Sequence, residues 1–287
     1  MIEIDRTYCV DLPDGRKLSY SDIGTGENGT WIHCHGIPGS RKEAHHLQDQ
    51  LVRSGVRLIV PDRPGYGQST PAADYGFSEH SDDLRRLADH LQLTTFRLSG
   101  FSGGGVFAMA AAHELGNRIE QLVIAATPAV PLMENPYEYA SELTASTWRA
   151  ALEDPEALAR ELETLTGSVD VLSAVLMGAA GDQEEHYLSS KSVFPSFIKS
   201  LGAALEHGPK TAGDALARDS FLIANSWPFS PGGIVIPVRV IHGSGDRLVY
   251  KDHQSRLSCK FPDVISKTIA DGHYGALSAI WDVSSNE

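Results

Sequence analysis

Short runs of β-branched and apolar residues alternate with segments of helical periodicity along most of the chain. The runs at 6–10 and 17–23 flank Pro13-Asp14-Gly15, which suits a tight turn, and so predict a β-hairpin. Further strands are predicted at 30–34, 57–60, 96–99, 121–127, 234–241 and 264–270. This alternation predicts an α/β fold whose mostly parallel central sheet is flanked by helices and binds ligands beyond the carboxyl ends of its strands.

Apolar residues at helical spacing predict the helices between these strands. Ser40 and Glu43 match a capping box, in which the hydroxyl and the carboxylate each bond a free N–H of the first turn, so a helix is expected to begin at Ser40. Its expected buried face is Ala44, Leu47, Leu51 and Val52, and Gly55 is expected to end it. Other helices are predicted at 78–91, 103–115, 252–260 and from 275 onward.

The strand pattern stops between 131 and 233, where helical patterns at 155–165, 195–205 and 211–225 replace it. We therefore expect a core domain formed by 1–130 and 234–287, with 131–233 inserted as a helical cap. Apolar stripes in this segment, such as Phe197, Ile198, Leu201 and Leu205, either pack against the core or line a pocket. Replacing the segment with a linker is expected to preserve labelling of the active site but to weaken discrimination by substrate size.

The sequence Gly100-Phe101-Ser102-Gly103-Gly104 carries the strongest chemical signal. It is a G-x-S-x-G placed after a predicted strand and before a predicted helix, a turn so tight that small neighbours are needed. Such a turn projects the serine hydroxyl from the sheet. Ser102 is therefore the predicted nucleophile.

Two further motifs follow predicted strands in the same order as in a known family. They are His35-Gly36-Ile37-Pro38-Gly39 and the loop Asp62-Arg63-Pro64-Gly65-Tyr66-Gly67-Gln68-Ser69. With the serine motif, they make the chain resemble the α/β-hydrolase superfamily over almost its whole length, as an esterase-like member with a helical cap. The resemblance implies that the first motif is the oxyanion loop and that the second is mainly a structural turn.

A serine hydroxyl needs a base, and the base needs an orienting acid. The motif His242-Gly243-Ser244-Gly245-Asp246 ends one predicted strand and Asp271-Gly272-His273 ends the last, which gives the Ser, Asp, His order of this fold. Asp246 is the predicted acid and His273 the predicted base. Asp271 and Asp252 remain alternative acids, whereas His242 lies in a predicted strand and His253 on a predicted helix.

The remaining site residues follow from the resemblance. The backbone N–H groups of Ile37 and Gly103 are expected to form the oxyanion hole, and Phe101 is assigned to substrate binding. The G-x-G-x-x-G at 24–29 leads into a strand and not into a helix, so it predicts a loop and no dinucleotide site. We expect no metal, since no carboxylate completes a ligand set around His33 and His35, and no cofactor.

Composition restricts the partners. The 287 residues include 24 Lys and Arg against 37 Asp and Glu, a net charge of -13 that disfavours nucleic acid and anionic lipid. The first ten residues do not resemble a signal peptide, no apolar run is long enough to span a membrane, and Cys9, Cys34 and Cys259 suit reduced thiols. We expect a soluble, cytoplasmic protein whose partner is a small-molecule substrate, in an oligomeric state that the sequence does not reveal.

These observations predict a serine hydrolase that cleaves a carboxylic ester of a small or medium apolar substrate (EC 3.1.1) through an acyl-enzyme. The alternatives within the fold are a lactonase, a C–C bond hydrolase, an aminopeptidase and a perhydrolase. A ligand receptor built on the same fold, with little or no turnover, is the alternative from another class.

Overall fold

A single eight-stranded sheet organises the chain, of which the computed structural model describes residues 6–188, 190 and 193–281. In chain order the strands are β1 (Tyr8–Asp11), β2 (Lys17–Gly24), β3 (Thr30–Cys34), β4 (Arg57–Pro61), β5 (Phe96–Phe101), β6 (Ile119–Ala125), β7 (Val238–Gly243) and β8 (Val264–Ile269). Their order in the sheet is β1-β2-β4-β3-β5-β6-β7-β8. The β1–β2 and β2–β4 pairs are antiparallel, and the pairs among β3 to β8 are parallel, which confirms the predicted α/β fold and the hairpin.

Helices cover both faces of this sheet and bury the strands on each side. Outside the segment between β6 and β7 they are α1 (Gln48–Arg53), α2 (Phe77–His90), α3 (Gly104–Leu115), α10 (Asp252–Ser258) and α11 (Gly275–Ser278). One hydrophobic core joins Ile59 of β4 to α2 and α3, and a second joins Leu58 and Val60 of the same strand to α1 and α11. Because successive side chains of a strand point to opposite faces, this division places β4 between two helical layers.

The helix predicted to begin at Ser40 begins at Gln48, after a 3-10 turn over His45–Leu47. The predicted capping box does not form, because other groups use both side chains. Glu43 accepts hydrogen bonds from Gly36 N at 2.9 Å, and the Ser40 hydroxyl donates to the carbonyl oxygen of Ser200. The expected apolar face is correct except for Val52, which is 38% exposed.

The start of one strand differs from the prediction. The strand expected over 234–241 begins only at Val238, directly after Pro237, and extends to Gly243. Residues 231–233 form a 3-10 turn before it. Gly55 does adopt the expected left-handed backbone, with a φ of 67°.

Between β6 and β7 the described chain is helical. The six α-helices there are α4 (Glu142–Glu153), α5 (Pro155–Leu165), α6 (Val169–Ala180), α7 (Asp182–Leu188), α8 (Val193–Ala204) and α9 (Pro209–Ala224). Side chains of Ser141, Asp154 and Ser168 accept hydrogen bonds from the first turns of α4, α5 and α6. The helices predicted at 155–165, 195–205 and 211–225 correspond to α5, α8 and α9.

Within the described residues, no single helix is long and apolar enough to cross a membrane. Helices α5 and α6 meet the length and composition requirement only when taken together, and a bend of 110° separates them.

Candidate active site

Ser102 lies at the sharp turn between β5 and α3. Its φ of 51° is in the left-handed region that residues other than glycine rarely adopt, and its N–H donates to the carbonyl oxygen of Ala125 at 2.8 Å. The turn requires small neighbours: a Cβ on Gly104 would lie 2.2 Å from the carbonyl oxygen of Cys34. The G-x-S-x-G sequence thus folds as the strand, turn and helix in which a nucleophile elbow is found.

Ser102 lines a cavity of about 130 Å³ together with Ile37, Phe101, Gly103 and His273. The structure therefore brings five of the six predicted site residues to one cavity, and the sixth, Asp246, contacts His273. Much of the remaining wall comes from the helical segment between β6 and β7, including Leu143, Trp148, Leu162, Leu172, Leu216 and Ile223. Among the described residues, no Asp, Glu, Lys or Arg lines this cavity.

His273 and Asp246 form a buried pair at the carboxyl ends of β8 and β7. The imidazole Nδ1 lies 2.8 Å from Asp246 Oδ2, so Nδ1–H donates to the carboxylate. Burial lowers the pKa of His273, but the charge and hydrogen bond of Asp246 outweigh it and raise that pKa above its ordinary value. Within the described chain, the hydrogen-bond partner of the imidazole is Asp246 and not Ser102.

Four donors surround the carboxylate of Asp246. Its Oδ1 accepts from the N–H groups of Leu248 and Val249, both at 2.9 Å, and its Oδ2 faces His273 and His242 Nε2, the latter at 3.1 Å. Burial raises the pKa of Asp246, but the charge of His273 and the hydrogen bonds from both histidines lower it below its ordinary value. Asp246 is therefore held ionised.

The alternative acids predicted from sequence lie elsewhere. Asp271 Oδ1 accepts a hydrogen bond from the adjacent Gly272 N at 2.9 Å, and Asp252 is the first residue of α10. His253 bonds the backbone of Ala129 and Tyr139. None of the three replaces Asp246 or His273 in the pair.

His242 was not predicted to take part in the site. Its Nε2 lies 2.7 Å from the carbonyl oxygen of Val249, so Nε2–H is the donor and faces Asp246 as well. The position of His242 on β7, four residues before Asp246, is visible in the sequence, but its orientation toward the carboxylate is not.

The N–H groups of Ile37 and Gly103 lie where β3 and β5 end. Ile37 and Gly103 are in close contact, since a Cβ on Gly103 would lie 2.7 Å from Ile37 Cδ1. Among the described residues, neither N–H donates to another protein group. Two free donors beside Ser102 are what an oxyanion hole requires.

Glu43 and His33 support the loop that carries Ile37. Glu43 Oε1 accepts from Gly36 N, and Glu43 Oε2 lies 2.9 Å from His33 Nε2. The other ring nitrogen of His33 contacts Ser99 Oγ at 3.0 Å. The sequence showed these residues only as a possible helix cap and a possible metal ligand.

Glu184 of α7 is a further residue that the sequence did not indicate. Its Oε1 accepts from Tyr274 N at 2.8 Å, whereas its buried Oε2 has no hydrogen-bond partner within the part of the chain that the structure describes. Burial raises the pKa of Glu184 to about 7, against the opposing effect of the His273 charge. A titrating carboxyl therefore lies against the loop of the histidine.

The stripe of α8 that was predicted to pack or to line a pocket does not reach Ser102. Phe197 and Leu201 line a second, smaller cavity of about 30 Å³, which Tyr274 separates from the first. The rings of Phe197 and Tyr274 meet edge to face, with centroids 5.1 Å apart.

Comparison with known proteins places this chain in a family. The family model described as alpha/beta hydrolase fold matches residues 32–283. The chain is 34% identical over 126 residues to the AB hydrolase superfamily protein YisY of Bacillus subtilis, covering 42% of this chain and 46% of that protein. It is also 36% identical over 123 residues to the non-heme chloroperoxidase CPO-A1 of Kitasatospora aureofaciens, covering 41% and 43%. The aligned regions thus span less than half of either relative.

Among solved structures, an esterase from Exiguobacterium antarcticum superposes with a TM-score of 0.67 at 18% identity, over 92% of this chain and 91% of that one. At this identity the likeness concerns the fold.

Proposed function

The chain belongs to the α/β-hydrolase family, and from that premise we propose that it is a serine hydrolase that cleaves carboxylic esters through an acyl-enzyme. One observation carries the proposal: Ser102, at its strained turn, and His273, whose Nδ1 is occupied by Asp246, line the same apolar cavity. Since Nδ1 is the protonated nitrogen, Nε2 is left as the base.

In the first half-reaction, Ser102 Oγ attacks the carbonyl carbon of the ester and His273 Nε2 takes the hydroxyl proton. The imidazolium that forms is stabilised by the ionised Asp246. The carbonyl oxygen becomes an oxyanion, which accepts hydrogen bonds from the N–H groups of Ile37 and Gly103. When the tetrahedral intermediate collapses, the C–O bond to the alcohol breaks and His273 gives the proton to the leaving oxygen.

In the second half-reaction, a water molecule attacks the acyl carbon and His273 again takes the proton. The second tetrahedral intermediate uses the same two N–H donors. Its collapse breaks the bond to Ser102 Oγ, returns the proton to the serine and releases the carboxylic acid. The chemistry that we propose needs no group besides the chain and water.

The size and the lining of the cavity support the proposal of a small or medium uncharged substrate. An ionised group would lose its hydration without a counterion, because the cavity lining among the described residues includes no Asp, Glu, Lys or Arg. A water molecule occupies about 10–15 Å³ of such a volume. The cavity of about 130 Å³ therefore accommodates on the order of ten non-hydrogen atoms.

We also propose that residues 131–233 act as a cap on a core formed by 1–130 and 234–287. Helices α4, α5, α6 and α9 all contribute side chains to the cavity wall, which supports a role in substrate selection. The proposed partner is a small molecule that enters this cavity.

The proposal is tested with nitrophenyl esters graded from acetate to laurate and with a small lactone, which is an internal ester. We expect wild type to prefer short and medium acyl groups and Ser102→Ala to lower kcat by about a thousandfold or more. Ser226→Ala is the matched control, because Ser226 is exposed. Turnover that is retained in Ser102→Ala contradicts the proposal, and saturable ester binding without turnover in wild type favours a receptor.

A further inference from the structure

Arg63 is a buried cation next to the loop of the candidate oxyanion hole. It follows β4, and its side chain is 1% exposed. Its Nη1 donates to the carbonyl oxygen of His35 at 2.6 Å and its Nη2 to that of Gly36 at 2.9 Å. A guanidinium buried in this way requires a counterion, and its five donors suit it to hold several acceptors at once.

The carbonyl oxygen of Gly36 belongs to the same peptide group as the N–H of Ile37. That peptide is trans, so the planar amide points its N–H directly away from the oxygen. Arg63 and His35 Nδ1, at 2.8 Å, both hold this oxygen. Two donors on the carbonyl therefore fix the direction of the Ile37 N–H. They also polarise the peptide group, which makes this N–H a stronger hydrogen-bond donor.

His35 is fixed in one tautomer by Arg63. The backbone N–H of Arg63 donates to His35 Nε2 at 3.1 Å, which leaves Nδ1–H to donate to Gly36. Burial, with the nearby charge of Arg63, keeps the pKa of His35 well below its ordinary value. The imidazole is neutral and serves as a second brace on the same peptide.

The counterion of Arg63 comes from the helical segment. Asp219 of α9 is fully buried, and its Oδ2 accepts from Arg63 Nε at 2.8 Å. Arg218 holds the other oxygen, at 2.7 Å from Nη2. One turn further along α9, Ile223 contacts Gly103, since a Cβ there would lie 2.6 Å from Ile223 Cδ1. Helix α9 thus contacts Gly103 directly and, through Arg63, holds the peptide that carries the Ile37 N–H.

We propose that Asp219 is a positioning residue for the oxyanion hole: by neutralising and aligning Arg63, it sets the direction of the Ile37 N–H. The inference rests on the proposed function. It also gives the helical segment a second role, because the helix that lines the cavity then takes part in stabilising the transition state. Replacing 131–233 with a linker is accordingly expected to slow labelling of Ser102, and not merely to weaken discrimination by substrate size.

The test is Asp219→Asn, which keeps the shape of the side chain and removes its charge. We expect kcat to fall by at least about tenfold with KM nearly unchanged, since complete loss of an oxyanion donor costs about 10²–10³-fold. A boronic acid, which forms a tetrahedral adduct with the serine, should bind more weakly by a similar factor. The amide analogue of the substrate should bind to Asp219→Asn with the same affinity as to wild type.

Asp214→Asn is the matched control, because Asp214 lies on the same helix in an exposed pair with Lys210. Asp219→Glu keeps the charge and should recover part of kcat, and it provides the measurement if Asp219→Asn does not fold. Wild-type kcat and boronic acid affinity in a folded Asp219→Asn, or a loss confined to KM, would overturn the inference.

The two proposals fail in different ways. If Ser102→Ala abolishes turnover while Asp219→Asn behaves as wild type, the hydrolase proposal stands and the positioning role is wrong. If wild type hydrolyses no ester but a fluorophosphonate still labels Ser102, the labelling rates of the Asp219 variants decide the positioning role. The absence of both turnover and labelling in wild type overturns both.

Discussion

The carboxylate Oδ2 of Asp246 lies 2.8 Å from Nδ1 of His273, on the side of the imidazole that carries the proton. Because the backbone N–H groups of Leu248 and Val249 hold the other oxygen, the carboxylate cannot rotate freely. The contact fixes both the tautomer and the orientation of the ring. Because of this contact, the unprotonated Nε2 of His273 is available as a base in the cavity that His273 and Ser102 both line.

Asp246→Asn should therefore lower kcat by about a thousandfold or more, since an amide in this place favours the wrong tautomer of the imidazole. Asp271→Asn is the control, because among the described residues the Asp271 carboxylate accepts a hydrogen bond only from Gly272 N of its own loop. Steady-state kinetics on one nitrophenyl ester compare the two. A larger loss in Asp271→Asn would move the acid to that residue.

The activity of wild type should rise with pH through the ionisation of His273. The imidazole accepts the serine proton only when it is neutral, and its pKa lies above the ordinary value because of Asp246. In the free enzyme, kcat/KM should thus increase with pH and level off, with a midpoint above about 6.5. A profile that is flat between pH 5 and pH 8 contradicts His273 as the base.

Glu184→Gln should move that midpoint to lower pH. The ionised carboxylate of Glu184 favours the imidazolium of His273, alongside the charge of Asp246, and it raises the pKa of the imidazole. A neutral amide removes this effect while keeping an acceptor for Tyr274 N. The exposed Glu156 gives the matched control Glu156→Gln. An unchanged midpoint in Glu184→Gln would show that this carboxyl does not act on His273.

Leu176→Phe should narrow the cavity from the side of α6. Leu176 lines it, and the larger ring leaves less room for the acyl chain. One methylene in a hydrophobic pocket is worth about 10–200-fold in discrimination, so we expect kcat/KM for medium esters to fall about tenfold relative to acetate. Leu152→Phe is the control, since Leu152 is 38% exposed on α4. Equal effects on all esters would place the acyl chain elsewhere.

Local patterns in the sequence sufficed to predict the fold and the tight turn at Ser102. The position of Ser102 follows from small residues that must be neighbours in the chain, and the strands follow from short apolar runs. The predicted capping box failed because helix capping competes with tertiary contacts: Glu43 bonds Gly36 and His33 in preference to the first turn of a helix.

The supports of the site could not be predicted in the same way. Arg63 and Asp219 are 156 positions apart, and Glu184 and Tyr274 are 90 apart. Neither pair has a local spacing that marks it, since each depends on how the helical segment packs against the loops of the sheet. A charged residue in a predicted helix is usually solvated, so burial of Asp219 is visible only in the fold.

Covalent labelling shows whether Ser102 is the nucleophile. Wild type and Ser102→Ala are incubated with a fluorophosphonate, and intact mass and peptide mapping locate the adduct. We expect one adduct on Ser102 in wild type and none in Ser102→Ala, because only a serine activated by a base reacts readily. An adduct on another residue, or equal labelling of the two proteins, would contradict this assignment.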